Sequence, residues 1–526
     1  MDTVELAGQV GELLEVDAAE YRRRVQEDAE VIKEAIAEGV FDNPQAIIGL
    51  EYEFYSVSDP AGPRRPESSD GSEAALKRVP RWLLEFIRFE QELGMHNAEL
   101  ATSPLPLNAD GLRAQEAEVA AQLRTANDSV RETGMRLVSD GMWTIPPEGE
   151  TAREYLTAST VENGIRLASN MSTSPRYHAM SNANSEVTAA MEIDAPNVSL
   201  SADTVMPESL ITSIQPHFQV SEAAELPEYF RYALRIAAPL LALGVNSPLF
   251  PPDLYDDVPP ERILDEAWMG HRIRVFESVL NPADDSAPGK VRFPRDIETA
   301  EQAVDRIVED KVLIPLVPEE SIGFDDEVSA FRLKHGSYWR WVRPVFGGSS
   351  RSSANARIEF RPIAAQPTVR DSVAFQAMFA GLMKALPQRD HPVRDLDWER
   401  AERNFYEATE SGLEADLHWI TGDGEETTDP ETMYLDLFEH AAEGLRESDL
   451  SEEAIGRYLG SLRRRVRYGI TPARWKVERV RELLDEGISF EEAVYATQRR
   501  YVQRQTETLF DTDFSAWIED HRYRVG

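Results

Sequence analysis

Apolar and polar positions change period several times along the chain, and each change predicts an element. Across residues 3–39, Leu13, Leu14, Tyr21, Val25, Val31, Ile32 and Ile36 recur at helical spacing. They predict one or two helices ending at the turn Asp42-Asn43-Pro44. A buried strand follows: Ile47-Ile48-Gly49-Leu50-Glu51-Tyr52-Glu53-Phe54-Tyr55. Residues 59–72 are a loop by composition. A short strand ends near Glu99, before Pro104. Residues 112–133 read as an amphipathic helix and 134–145 as a strand with a turn. The stretch 210–220 alternates, with Thr212, Ile214, Pro216 and Phe218 on one side and Ser213, Gln215, His217 and Gln219 on the other. Residues 222–246, 299–312 and 368–386 read as helices. The segment 331–363 is dense in aromatic and charged residues. From Asp395 the pattern is helical and rich in Arg and Glu, with a polar break at 421–429. No internal repeat or low-complexity tract interrupts it.

Two carboxylates break the first strand, two positions apart. Residues i and i+2 of a strand share a face, so Glu51 and Glu53 lie side by side in a segment otherwise fit for a core. Burying both unpaired is costly. A hard divalent cation such as Mg²⁺ or Mn²⁺ removes that cost. Taken alone, the pair fits equally a half-exposed strand with an acidic face. A second charged strand reads Arg357-Ile358-Glu359-Phe360-Arg361. Its carboxylate between two guanidiniums is either an internal salt-bridge ladder or a metal ligand beside a phosphate clamp.

Composition narrows the partners. The 526 residues hold 94 Asp and Glu against 55 Lys and Arg, a formal net charge of -39, and only seven of the 55 are Lys. Length alone allows about three or four domains, or fewer large ones. Acid excess spread over the whole chain, with Arg preferred to Lys, resembles proteins of salt-loving archaea, where salt screens self-repulsion. The charge argues against nucleic acid and anionic membrane surfaces as partners. No run of about 18 apolar residues predicts a spanning helix. The first residues lack a signal-peptide pattern, so a cytoplasmic location is expected. With no Cys, disulfides, thiolate metal sites and a cysteine nucleophile are excluded.

Glu51, Glu53, Glu99, His217 and Glu359 are five potential ligands on predicted strands, with Arg361 beside the last. Phosphoryl transfer to a carboxylate needs such a set: cations that bridge nucleotide phosphates and an Arg that neutralises developing charge. No GxxxxGK[ST] loop occurs, so a P-loop enzyme is excluded. Gly347-Gly348-Ser349-Ser350 is only a weak glycine-loop signal.

Five stretches, in order across residues 45–385, resemble the glutamate–cysteine ligases, which belong to the carboxylate–amine ligases of glutamine synthetase-like fold. Gly49-Leu50-Glu51-Tyr52-Glu53 resembles the family's first-strand ExE. Glu92 and Glu99 with Thr102 and Pro104 resemble its acidic second strand. Arg176-Tyr177-x-x-Met180 is similar to an RYxxM motif. The strand 212–220 is similar to one bearing a His or Asn ligand. Trp339-x-Trp341-x-Arg343-Pro344, followed by Ile358-Glu359-Phe360-Arg361, resembles the late ExR strand. Glu92 departs from the pattern, standing where an Asp is expected.

The resemblance implies an α+β fold in which a curved, mostly antiparallel sheet forms a funnel, with helices around it and a helical C-terminal region. Residues 1–394 would be the catalytic domain. Residues 395–526 would complete the fold or mediate assembly into a homo-oligomer. Glu51, His217 and Glu359 would hold one Mg²⁺ or Mn²⁺, and Glu53, Glu99 and Glu92 another. Arg361 would contact the γ-phosphate of ATP and the acyl phosphate. Arg343 and Arg176 would contact a substrate carboxylate or a phosphate. ATP would phosphorylate the γ-carboxylate of glutamate, and an amine, cysteine first, would displace phosphate. The rivals are a γ-glutamyl ligase for another amine, a non-catalytic nucleotide- or metal-binding regulator, and a guanidino kinase. Two Trp at 339 and 341 suit core packing better than adenine stacking. His96, His178 and His335 are expected to be structural.

Overall fold

The computed structural model describes residues 2–59, 73–183, 191–281, 289–312, 314, 327–348 and 350–518. Most of the loop read at 59–72, much of the loop after Asn281, and Asn184 and Ser349 lie outside them. Two N-terminal helices, Thr3–Leu14 and Ala18–Ala37, start at Asp2 and Asp17, whose carboxylates accept from first-turn N–H groups. The spacing predicts one or two helices here, and two form.

The site is built on one eight-stranded sheet. Its strands are β1 (Ile47–Ser58), β2 (Glu90–Gln91), β3 (Asn97–Ala101), β4 (Leu105–Pro106), β5 (Met135–Val138), β6 (Ile214–Val220), β7 (Val342–Gly347) and β8 (Asn355–Phe360). The main order is β7-β8-β6-β1-β3-β2, and β4 and β5 pair with β1. Every pairing is antiparallel, and the sheet is curled. Its register sets side-chain direction, because directly opposed residues point to the same face. Glu51 opposes Gln215, Glu53 opposes Glu99, His217 opposes Glu359, and Arg343 opposes Glu359 from the other side. One face is therefore polar across five strands.

The other face is apolar. Ile48, Leu50, Tyr52 and Phe54 of β1, with Ile214 and Phe218 of β6 and Ile358 and Phe360 of β8, are all buried. Each contributes roughly 1.5–3 kcal/mol by leaving water. They pack on α1 (Leu226–Gly244) and α2 (Val369–Gln388). Phe360 stacks on Phe379 at 4.6 Å, and Phe218 on Tyr229 at 5.9 Å.

The helices beyond residue 395 continue this layer. α3 (Pro430–Glu447) lies across α2 at a close crossing. A Cβ on Gly444 would sit 1.9 Å from the Gly381 carbonyl oxygen, so both helices need glycine there. α4 (Glu452–Tyr468) is pinned to α2 by Arg465 and Asp371, 2.9 Å apart and both fully buried. Asp371 also accepts from the Phe514 N–H and the Thr368 hydroxyl. One apolar core runs from Ala29 to Leu509. The polar break at 421–429 holds a small hairpin, Trp419–Ile420 against Glu426–Thr427.

Two predicted boundaries shift. The dense segment from residue 331 opens with a helix, Ser329–Gly336, and becomes strand only at Val342. The strand predicted from Leu210 starts at Ile214, because Met206–Leu210 closes as a 3-10 turn behind Pro207. Among the described residues no helix is long and apolar enough to cross a membrane.

Candidate functional site

The polar face gathers most of the charged residues singled out above. Ligand atoms of Glu51, His217 and Glu359 all lie within 4.8 Å of one another. Each comes from a different strand, so antiparallel register alone assembles them. His217 Nε2 stands 3.3 Å from Glu51 Oε1, outside hydrogen-bond geometry, and is a buried nitrogen without a hydrogen-bond partner. Glu359 is 2 % exposed and lies between Arg343, at 2.8 Å, and Arg361, at 2.5 Å. Burial pushes its carboxyl up, but Arg343, Arg361 and His217 outweigh it and hold Glu359 well below the usual carboxylate range. Burial likewise raises Glu51, and His217 more than offsets it. Glu51 keeps 30 % of its side-chain exposure, so it lines a concavity open to water.

Arg361 links two halves of this face. Its Nη1 donates to Glu359 and to the Gln215 side-chain oxygen. Gln215 Nε2 donates to Glu53 at 2.9 Å, and Glu53 also accepts from the Ser213 backbone N–H at 2.6 Å and hydroxyl at 3.0 Å. Burial still raises the Glu53 carboxyl above its ordinary value. Beyond it lie Glu92 and Glu99, close enough for each to act on the other's carboxyl. Burial and mutual repulsion push Glu99 well up, and burial raises Glu92. Glu53, Glu92 and Glu99 are thus neighbours, but no tight trio forms there among the described residues; Ser213 and Gln215 occupy Glu53 in this state.

Three donors, two carboxylates and an imidazole nitrogen without a hydrogen-bond partner, fit a hard divalent cation. The other trio among the described residues, His391, Asp436 and His440, is already committed to hydrogen bonds. Asp436 accepts from Trp419 Nε1, the Gly422 N–H and His391 Nε2, while His391 Nδ1 accepts from the Val393 N–H. Those bonds clasp three segments together.

Arg176 lies apart from the carboxylates. It donates to the Gly336 carbonyl at 3.2 Å, and Arg343 donates to the preceding carbonyl, His335, also at 3.2 Å. Both cap the C-terminus of helix Ser329–Gly336, where cations are favoured. Trp341 is fully buried and donates to Glu277. His96, His178 and His335 each bond backbone carbonyls.

Two residues of this region carried no usable sequence signal. Glu208 sits on the 3-10 turn Met206–Leu210, in the field of Glu92, Glu53, Arg272 and Arg361. Burial first, then Glu92 and Glu53, push it up to about 8. Arg272, 4 % exposed, donates to the carbonyls of Arg361 at 3.0 Å and Pro362 at 3.3 Å. Burial pulls it down to about 10 against the pull of Glu53. A lone acid behind a proline and a lone Arg at a helix start are too common to single out.

The profile of glutamate–cysteine ligase family 2 (GCS2) matches residues 47–505. The chain belongs to that family, and with it to the ATP-dependent carboxylate–amine ligases. The match reaches well into the helical region after residue 395. Among solved structures, glutamate–cysteine ligase from Francisella tularensis, in complex with AMP, is 13% identical with a TM-score of 0.46, over 91% of this chain and 93% of that one. A bifunctional glutathione synthetase from Pasteurella multocida is 13% identical with a TM-score of 0.45, over 91% of this chain and 55% of that one. No curated protein matches the chain.

Proposed function

We propose that the protein joins the γ-carboxylate of glutamate to the amine of cysteine at the expense of ATP, through an acyl phosphate. Support comes from one arrangement above all: Glu359 fixed between Arg343 and Arg361, with Glu51 and His217 beside it. Glu51, His217 and Glu359 would hold one Mg²⁺ or Mn²⁺, and Glu53, Glu92 and Glu99 a second. The bound cations would supply positive charge to the nucleotide phosphates. Arg361 would carry the charge developing on the transferred phosphoryl group, its fork already oriented by Glu359 and Gln215. Arg343, and Arg176 at the end of the same helix, would bind a phosphate or substrate carboxylate. The sheet's work is positioning and charge neutralisation. Residues 1–394 would carry the chemistry, with 395–526 as a buttress or assembly surface.

A charge of -39 with seven Lys supports a cytoplasm of high salt as the working medium. Phosphate release from ATP, in concentrated salt with Mg²⁺ or Mn²⁺, tests the reading with glutamate fixed and amines added singly. Release that needs both glutamate and cysteine is the expected result. Release with another amine renames the acceptor and keeps the mechanism. ATP binding without release under any pair makes the protein a regulator.

A further inference from the structure

A cavity of about 380 Å³ lies between the segments around Leu264–Met269, Glu410–Glu414 and Gly469–Arg481. That volume is at the lower end of small-molecule sites, roughly 300–1,000 Å³. None of the catalytic candidates lines it.

Its chemistry is two-signed. Met269, Leu413 and Val477 give apolar surface. Arg474 pairs with Glu414 and, along its own helix, with Glu478 at 2.9 Å, and Arg481 pairs with Asp265 at 2.7 Å. The pairs with Glu414 and Asp265 are open to water: those acids are 69% and 71% exposed. Exposed pairs are worth little and exchange partners readily. Glu410 also lines the cavity and makes no ion pair among the described residues. A ligand with one carboxylate, one ammonium and a short apolar tail matches the two arginines, Glu410 and the apolar surface of this lining.

The wall of the cavity is joined to the catalytic face by a short hydrogen-bonded path. The Met269 N–H donates to the Glu410 carbonyl at 3.0 Å, and the Gly270 N–H to the Thr409 carbonyl at 2.8 Å. The next residues reach the other way. The His271 N–H bonds the Ser247 carbonyl at 3.1 Å, and the Arg272 N–H bonds the Ser247 hydroxyl at 3.0 Å. Arg272 Nη1 then holds the carbonyl of Arg361. Only Gly270 and His271 separate Met269 from Arg272.

We propose that this cavity is an effector site for a free α-amino acid with an apolar side chain, and that its occupancy alters turnover through Arg272 and Arg361. The carboxylate displaces Glu414 from Arg474, which keeps Glu478, and Asp265 from Arg481; the ammonium meets Glu410, and the side chain covers Met269 and Leu413. Binding is readable without turnover, so it stands or falls apart from the ligase reading.

The test is calorimetric titration of the whole chain with L-methionine, with its amine analogue lacking the carboxylate and with its acid analogue lacking the amine. Exposed charges in concentrated salt give an expected dissociation constant on the order of millimolar. Each single-charge analogue binds at least roughly tenfold more weakly. Arg481→Gln and, separately, Glu410→Gln abolish binding while keeping the unliganded melting temperature. Saturating L-methionine changes phosphate release about threefold or more at saturating substrates, and only in the unsubstituted chain. No saturable binding, or equal binding to Arg481→Gln, overturns the site. Binding with unchanged turnover overturns the coupling.

Discussion

His217 and Glu359 are direct cross-strand partners on β6 and β8, and both face Glu51 of β1. The register that makes this trio is fixed by the apolar residues on the other face. A slip of one position would send Phe218 and Ile358 to the funnel and His217 and Glu359 into the helices. Core and site are specified by the same alternation.

Glu359→Gln preserves shape and removes the charge between two guanidiniums. Turnover, read as phosphate release, should fall below detection. The substitution also leaves Arg343 and Arg361 without their shared counter-charge, so it should cost about 1–3 kcal/mol in denaturant unfolding. Near-normal turnover would remove Glu359 from the site.

Much of this was legible from the chain. Glu51, Glu53, His217 and Glu359 stand at period-2 positions of predicted strands, which is enough to put them on one face. Register explains why the trio converges. Glu208, Arg272 and the pins Arg465–Asp371 and Lys476–Asp140 were not legible. Each is a contact between segments far apart in sequence, made by a residue whose own neighbourhood has no marked period. The occupation of Glu53 by Ser213 and Gln215 was half visible. All three were placed on polar strand faces, but only the pairing of β1 with β6 brings them together.

Arg361→Lys keeps a positive charge and loses the fork. Nη1 alone bonds Glu359 and Gln215, and Lys, with one nitrogen, has no second terminal nitrogen in a fixed plane to present to a transferred phosphoryl group. The expected loss in kcat is about 10²–10³-fold, with a much smaller change in the KM for ATP. An equal loss in both would assign Arg361 to nucleotide binding alone.

Gly444→Ala tests the crossing of α2 and α3. The new methyl would lie 1.9 Å from the Gly381 carbonyl oxygen, a backbone atom that cannot swing away. The helices must separate, at a cost of about 1–3 kcal/mol or more. Chemical denaturation measures it. Because α2 backs the sheet, the variant should also lose activity on mild heating before the parent does.

Asp436 sets a pH limit on the clasp between the hairpin at Trp419 and helix α3. Burial raises its carboxyl, but hydrogen bonds from His391, Gly422 and Trp419 outweigh that and hold it below the ordinary value. A carboxylate that is more acidic when folded stabilises the fold above its unfolded pKa, about 3.9. That contribution is lost as pH falls through the folded value. Asp436→Asn should therefore be less stable than the parent at pH 7, with the gap narrowing steadily below about pH 4. Trp419, which donates to Asp436 at 2.7 Å, supplies a fluorescence signal at the clasp itself. A gap that stayed constant across the acid range would mean that the carboxylate's charge contributes nothing there, and that packing alone holds the hairpin down.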